Sequence, residues 1–189
     1  MPTLDHFDFL APIYDRFIKL GDSDHLIQLL DLPTNGALLD AGGGTGRVTK
    51  AFDGLVNLLV ISDLSIEMLR QAKSKNGFRL TCSHTEFLPF PSDYFARVVM
   101  VDALHHVCDH EETATELWRV LQSGGRLLIE EPDIRLLMVK FIALAEKLAF
   151  MRSHFISPTK IKALFPYPNA EISIYQEGYN ARIVVIKHK

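Results

Sequence analysis

LLDAGGGTGRV, residues Leu38 to Val48, places four glycines in five positions directly after an apolar run. A short apolar run closed by glycines reads as a strand buried on both faces. Glycine packs nothing and loses the most backbone entropy, so such a cluster marks a turn where backbone must come close to something. The stretch predicts a strand over Ala37–Ala41, a glycine turn, and a helix starting near Thr45 or Gly46. The first N–H groups of that helix would face a polar ligand.

The same pattern repeats outward from this point. Further strand-like runs are LVNLLVISD (Leu55–Asp63), FRLTCSH (Phe78–His84), ARVVMVDA (Ala96–Ala103) and GRLLIEE (Gly125–Glu131). Helical patterns fill the gaps. Ser65 is placed to cap SIEMLRQAK, with Ile66, Met68 and Leu69 on its inner face. Asp109 and Glu112 form a capping box opening HEETATELWRVLQ, and Gly124 is placed to stop that helix. Ser157 and Pro158 open another short helix, SPTKIKALF. AEISIYQEG and YNARIVVIKHK, joined at Gly178, read as a hairpin. The fold expected is α/β: a Rossmann-like, doubly wound, seven-stranded and mainly parallel sheet with an antiparallel C-terminal hairpin and helices on both faces.

The chain has 189 residues and a net charge of −3, with 48% apolar and 23% charged residues. That length supports a single domain, 1–189, and the charge leaves no broad footprint for nucleic acid or an anionic membrane. Two cysteines without framework spacing, Cys82 and Cys108, point to a reducing compartment. MPTLDHFDFLAPIYD lacks a basic region followed by an apolar one, so it does not read as a signal peptide. The greasiest stretch, Ile134 to Met151, is broken by Arg135, Lys140, Glu146 and Lys147, which argues for an amphipathic helix rather than a membrane span. A cytoplasmic protein, monomer or homodimer, is expected.

Dinucleotide binders space their glycines G-x-G-x-x-G, and here the third would fall on Arg47. The spacing present, Asp40-x-Gly42-x-Gly44-x-Gly46, resembles the first motif of the class I S-adenosylmethionine-dependent methyltransferases. ISDLSIEML is similar to the second motif of that family, whose acid accepts both ribose hydroxyls; Asp63 is the match. TCSHTEFLPFPSDYFARVVMVDALHHV resembles the stretch from the third strand through the fourth, with LPFP typical of the small-molecule branch. ELWRVLQSGGRLLIEEPD resembles the following helix, glycine turn and fifth strand, so the likeness covers Leu38 to Asp133. FDFLAPIYD is similar to the lid helix of quinone-biosynthesis C-methyltransferases, where a Tyr–Asp pair, here Tyr14 and Asp15, lies near the cofactor.

The resemblance implies S-adenosylmethionine as cofactor and S-adenosylhomocysteine as product. It places Asp40, Ala41, Gly42, Gly43, Gly44, Gly46, Asp63, Leu64, Met68, His84, Thr85, Glu86, Asp102 and Tyr14 around them. One departure stands at the base: the family often has an acid near the adenine amino group, and the aligned residue is His84, with Glu86 close by. By the same resemblance, 1–35 would form a lid, 36–133 the cofactor half, and 134–189 the acceptor-side helices and hairpin.

Methyl transfer from a sulfonium needs alignment and exclusion of water, so the family has no universal catalytic residue. Candidates after the fourth strand are Asp102, His105 and His106, a histidine there having a pKa suited to a general base. His105, His106, Cys108 and His110 fit no standard zinc spacing, and no metal is expected. IRLLMVKFIALAEKLAF mostly reads as core helix, with Phe141, Phe150 and Met151 available to line an acceptor pocket. The acceptor expected is a small molecule, apolar or aromatic. Two other functions stay open: a non-catalytic binder of the same cofactor, and a nucleotide-linked oxidoreductase, which the glycine register opposes. The chain lacks an Asn-Pro-Pro-aromatic stretch after the fourth strand, which disfavours methylation of bases or glutamine amides.

Overall fold

The structure, a computed structural model, describes residues 23–75, 77–148 and 153–189. Seven strands form one sheet: β1 (Ala37–Ala41), β2 (Leu58–Asp63), β3 (Phe78–Cys82), β4 (Phe95–Val101), β5 (Leu121–Pro132), β6 (Ala170–Glu177) and β7 (Asn180–Lys187). Their order is β3-β2-β1-β4-β5-β7-β6. β1 to β5 run parallel, and β7 is antiparallel to both β5 and β6. The expected doubly wound sheet with its terminal hairpin is therefore the one observed. Strand order reverses between β1 and β4, which opens a crevice beyond their carboxyl ends.

Helices cover both faces because the inner strands are apolar on both. Leu38, Leu59, Val99, Leu128 and Val184 point to the face covered by α1 (Ser23–Leu29) through Leu26 and by the buried Phe52. Leu39, Val98, Met100, Leu127 and Ile129 point to the other, against α3 (His110–Val120) through Leu117 and Trp118. α5 (Pro158–Ala163) adds Ile161 to that second core. α2 (Ile66–Lys73) packs Leu69 and Ala72 on Ile61. The N-caps form, but Asp109 and Glu112 make no reciprocal box, because the Asp109 N–H donates to Glu86 instead. Ser65 accepts from the Met68 N–H, Asp109 from Glu111 and Glu112, and Ser157 from Lys160.

Several expectations need correcting. The glycine turn leads into no α-helix; a four-residue 3-10 turn, Thr49–Phe52, is the only helical element between β1 and β2. Ile66 is 55% exposed, so the inner face of α2 is Met68, Leu69 and Ala72. Gly124 does not stop α3: Leu121 turns extended and pairs with Phe95, so β5 starts four residues early and Gly124 sits in the bulge before Arg126. The shorter β2 and β3 end where ladder pairing ends. In α4 (Leu137–Leu148), Val139 is fully buried, while Leu137, Met138, Phe141 and Leu144 are exposed. That helix is less core-like than its composition implies.

β7 is fastened on both sides. Arg182, 2% exposed, pairs with Glu130 of β5 and Glu177 of β6. Lys187 donates to the carbonyls of Trp118 (3.0 Å) and Leu121 (2.7 Å) and to Asp93 (2.9 Å).

Candidate active site

The crevice at the switch point is built from two turns, one after β1 and one after β4. Gly42 has φ +72°, and a Cβ there would stand 2.6 Å from the Cβ of Ala103 in the opposite turn. The absent side chain lets the two turns meet. Gly43 leaves room for the carboxyl of Asp40, since a Cβ would lie 2.7 Å from its Cγ. Asp40 and Ala41 close β1 and are 1% and 0% exposed. Oδ2 of Asp40 accepts the Thr49 hydroxyl at 2.5 Å. Burial raises the Asp40 pKa to about 6, with Asp63 adding to the rise and Thr49 and Arg47 opposing it.

Asp63, at the end of β2, is clamped by backbone. The Gly44 N–H donates to Oδ2 and the Ser65 N–H to Oδ1, both at 2.8 Å. A carboxylate presents two acceptor oxygens side by side. That pair suits a vicinal diol. Leu64, next to this carboxylate, is 47% exposed, whereas Met68 is 2% exposed beneath the glycine turn. The Met68 sulfur lies 4.0 Å from where a Gly44 Cβ would be.

The residues expected near a base are divided. His84 is exposed. The Thr85 hydroxyl is buried against that of Thr113 at 3.2 Å, directed at α3. Oε1 of Glu86 accepts the N–H groups of Cys108 and Asp109 at 2.8 and 3.1 Å, so this acid secures the loop into α3. Tyr14, Asp15, Phe150 and Met151 lie outside the described residues.

Across the crevice, Asp102 follows β4 with φ +52°, held by its N–H to the Glu130 carbonyl at 3.0 Å. Burial, then Glu131 and Glu130, push its pKa up to about 6. Its partner is Arg47, whose Nη2 is 3.6 Å from Oδ2. Arg47 is 13% exposed at its side chain, and its Nε is buried with no hydrogen-bond partner. A buried guanidinium with an unspent donor is suited to an anion. Sequence reading missed Arg47, treating it only as the place where a glycine register failed.

The two histidines differ from expectation. His105 is 5% exposed, its Nδ1 2.5 Å from Glu131 Oε2 and its ring stacked on Phe155 at 4.3 Å. It is a buried, braced group rather than one presented to an acceptor. His106 is closer to the crevice rim, but burial and the charge on His105 lower its pKa to about 3. A base near neutral pH is therefore not what His106 provides; Asp102 comes nearer that role. Among the described residues, no three His, Cys, Asp or Glu side chains converge to hold a metal ion. Nor is any helix among them long and apolar enough to cross a membrane.

Residues 39–129 match the sequence profile of a family described as a methyltransferase domain. The chain is 36% identical to the ubiquinone/menaquinone biosynthesis C-methyltransferase UbiE of Vibrio parahaemolyticus, an alignment covering 66% of this chain and 55% of that protein. It is 32% identical to the protein of the same name from Stutzerimonas stutzeri, covering 66% and 56%. The chain thus spans a little over half the length of these relatives. In fold it resembles an S-adenosylmethionine-dependent methyltransferase from Clostridium acetobutylicum, with TM-score 0.72 and 15% identity over 98% of this chain and 100% of that one. The YcgJ protein from Bacillus subtilis gives TM-score 0.72 and 24% identity over 82% and 70%.

Proposed function

The chain carries the methyltransferase domain of the class I S-adenosylmethionine-dependent family, and from that premise we propose that it transfers the methyl group of S-adenosylmethionine to a small, ring-bearing acceptor. The observation that carries the reading is the Asp63 carboxylate at the end of β2, oriented at the crevice by the Gly44 and Ser65 N–H groups of the glycine turn and the start of α2. The residues present fit the cofactor. Asp63 receives the ribose diol, Leu64 lies beside the base, and Gly44, where a Cβ would have only Asp63 and Met68 near it at 3.9 and 4.0 Å, leaves backbone open to the chain joining sugar to sulfur. Arg47 takes the methionyl carboxylate with its unspent Nε donor. His84 and the backbone around it replace the missing acid at adenine.

When bound, the cofactor supplies an electrophilic methyl group on a sulfonium. The chain's own residues then have two tasks. The turns after β1 and β4 hold the methyl in line and keep water out. Asp102, with a pKa near 6, is able to accept a proton from an acidic hydroxyl of the acceptor. The curated relatives are named as C-methyltransferases of ubiquinone and menaquinone biosynthesis. An acceptor of that chemistry, a phenol or enol whose deprotonation makes a ring carbon nucleophilic, agrees with the exposed apolar face of α4. The reading assigns 36–133 to the cofactor and 134–189 to the acceptor side, in a cytoplasmic enzyme with free thiols Cys82 and Cys108. Of the segment 1–35 expected as a lid, residues 1–22 lie outside the described residues, and Leu26 and Leu30 bury the remainder in the core under the sheet.

Calorimetric titration tests this reading. S-adenosylhomocysteine is expected to bind with micromolar affinity and NADH not at all; the reverse result would refute it. Arg47→Met should weaken S-adenosylhomocysteine about tenfold or more, the usual worth of a charged hydrogen bond. It should leave 5′-methylthioadenosine, which lacks the amino-acid end, within about twofold. Equal loss for both ligands would remove Arg47 from the methionyl end.

A further inference from the structure

Glu131, at the end of β5, is 3% exposed and has been given no part in the site above beyond bracing His105. Its carboxylate nevertheless meets three donors from one turn. Oε1 accepts the N–H groups of Ala103 at 3.0 Å and Leu104 at 2.7 Å, and Oε2 lies 2.5 Å from His105 Nδ1. These residues begin the 3-10 turn Leu104–His106, which follows Asp102 beyond the carboxyl end of β4. The His105 ring lies between two others: Phe155 stacks at 4.3 Å and 12°, and His106 stands 3.9 Å away. The His105 carbonyl accepts the His154 N–H at 2.6 Å, and Ser153 Oγ is 3.5 Å from His106 Nδ1.

We propose, resting on the methyl-transfer reading, that Glu131 is a positioning residue: through His105 it fixes the orientation and protonation state of His106 beside the methyl-transfer path. The chain of contacts runs carboxylate, first imidazole, second imidazole. A carboxylate on Nδ1 selects the Nδ1–H form of His105 and supports its positive charge. That charge, 3.9 Å from the neighbouring ring, opposes a second proton on His106, and burial acts in the same direction. A cationic His106 would repel the sulfonium and would lose an acceptor nitrogen. A neutral one is able to take a hydrogen bond from an acceptor hydroxyl and leave the proton transfer to Asp102. Among the described residues, the charged and titratable groups facing this pair include Glu131 and Glu130 from β5, Asp102 from the same turn, and Arg47 through Asp102. Phe155, Ser153 and His154 meet it from the segment before α5.

Nitrogen-15 NMR of the histidine rings, with Glu131→Gln and His105→Phe, tests the proposal without an acceptor. The glutamine carbonyl retains both backbone bonds but turns an amide N–H toward His105. The wild-type His105 should carry protons on both ring nitrogens across pH 6–8, and Glu131→Gln should leave it neutral with its single proton on Nε2. The His106 protonation midpoint should rise by about one unit or more in both variants, the Coulombic effect of losing a charge at this range. His105→Phe preserves the stack on Phe155, so it isolates charge from packing. An unchanged His106 midpoint in both variants, each with wild-type melting behaviour within a few degrees, would overturn the proposal. S-adenosylhomocysteine titration of the same samples separates the two readings. Wild-type binding together with an unmoved His106 defeats this inference alone, whereas no wild-type binding defeats the methyl-transfer reading beneath it.

Discussion

Asp63→Ala is expected to reduce S-adenosylhomocysteine affinity by about two orders of magnitude or more, since each charge-assisted hydrogen bond is worth roughly 1.5–3 kcal/mol. The loss has two parts. The two ribose bonds disappear, and the Gly44 and Ser65 N–H groups lose the carboxylate that aims them. Asp63→Asn should do little better. An amide offers only one oxygen, so its NH2 must confront one of the two backbone donors now at 2.8 Å. Folding should survive both changes, because Asp63 is half-buried and water is able to reach the freed N–H groups. Calorimetry on the two variants checks this, with circular dichroism as control; either one binding within about threefold of wild type would defeat the assignment.

The second large effect concerns pH. Asp40 is buried, and its pKa in the folded protein is about 6 against an ordinary 3.8. The native state therefore holds the proton more tightly than the unfolded chain. The stability this gives is complete below pH 3.8 and is lost as pH rises through about 6. The shift corresponds to about 3 kcal/mol. Asp102 acts in the same direction, reduced because a quarter of its side chain meets solvent. Glu116 and Asp133, whose pKa values are lowered by Arg119 and Arg135, act oppositely but below the ordinary carboxylate range. Urea unfolding of the ligand-free protein should thus show stability falling between pH 4 and 6, where most proteins are level. Asp40→Asn, which retains an acceptor for Thr49, should be more stable than wild type at pH 7.5 by as much as about 3 kcal/mol. An equal or lower urea midpoint for the variant would show that Asp40 is not strained by its burial.

The sheet and its order were legible because period and punctuation agreed: apolar runs of strand length, each closed by glycine or a capping residue. Ala37–Ala41 matches its expected bounds, and the Ser65, Asp109 and Ser157 N-caps form. The 3-10 turn after the glycines was not legible, because RVTKAF has ordinary helical composition and only the closeness of β2 decides its geometry. At the site, the glycines and Asp63 announced themselves through local spacing. Arg47, Glu130 and Glu131 did not, since their roles come from strands brought together across the sheet. A sequence clue existed in Glu130-Glu131, two adjacent acids ending an apolar strand. Only the alignment of β4 with β5 shows that one of them braces His105. The titration of His106 was equally out of reach, because burial sets it.

The placement of β7 has a consequence for how the protein is made. β7 is the last of the seven strands to be synthesised, yet it lies inside the sheet, between β5 and β6. While the ribosome is still translating the stretch between Pro132 and Asn180, the outer edge of β5 has no neighbour. An open, apolar strand edge is a template for pairing with other chains. At about 5–20 residues per second that exposure lasts several seconds. That edge is closed only by the hairpin, when Arg182 reaches Glu130 and Lys187 reaches the end of α3.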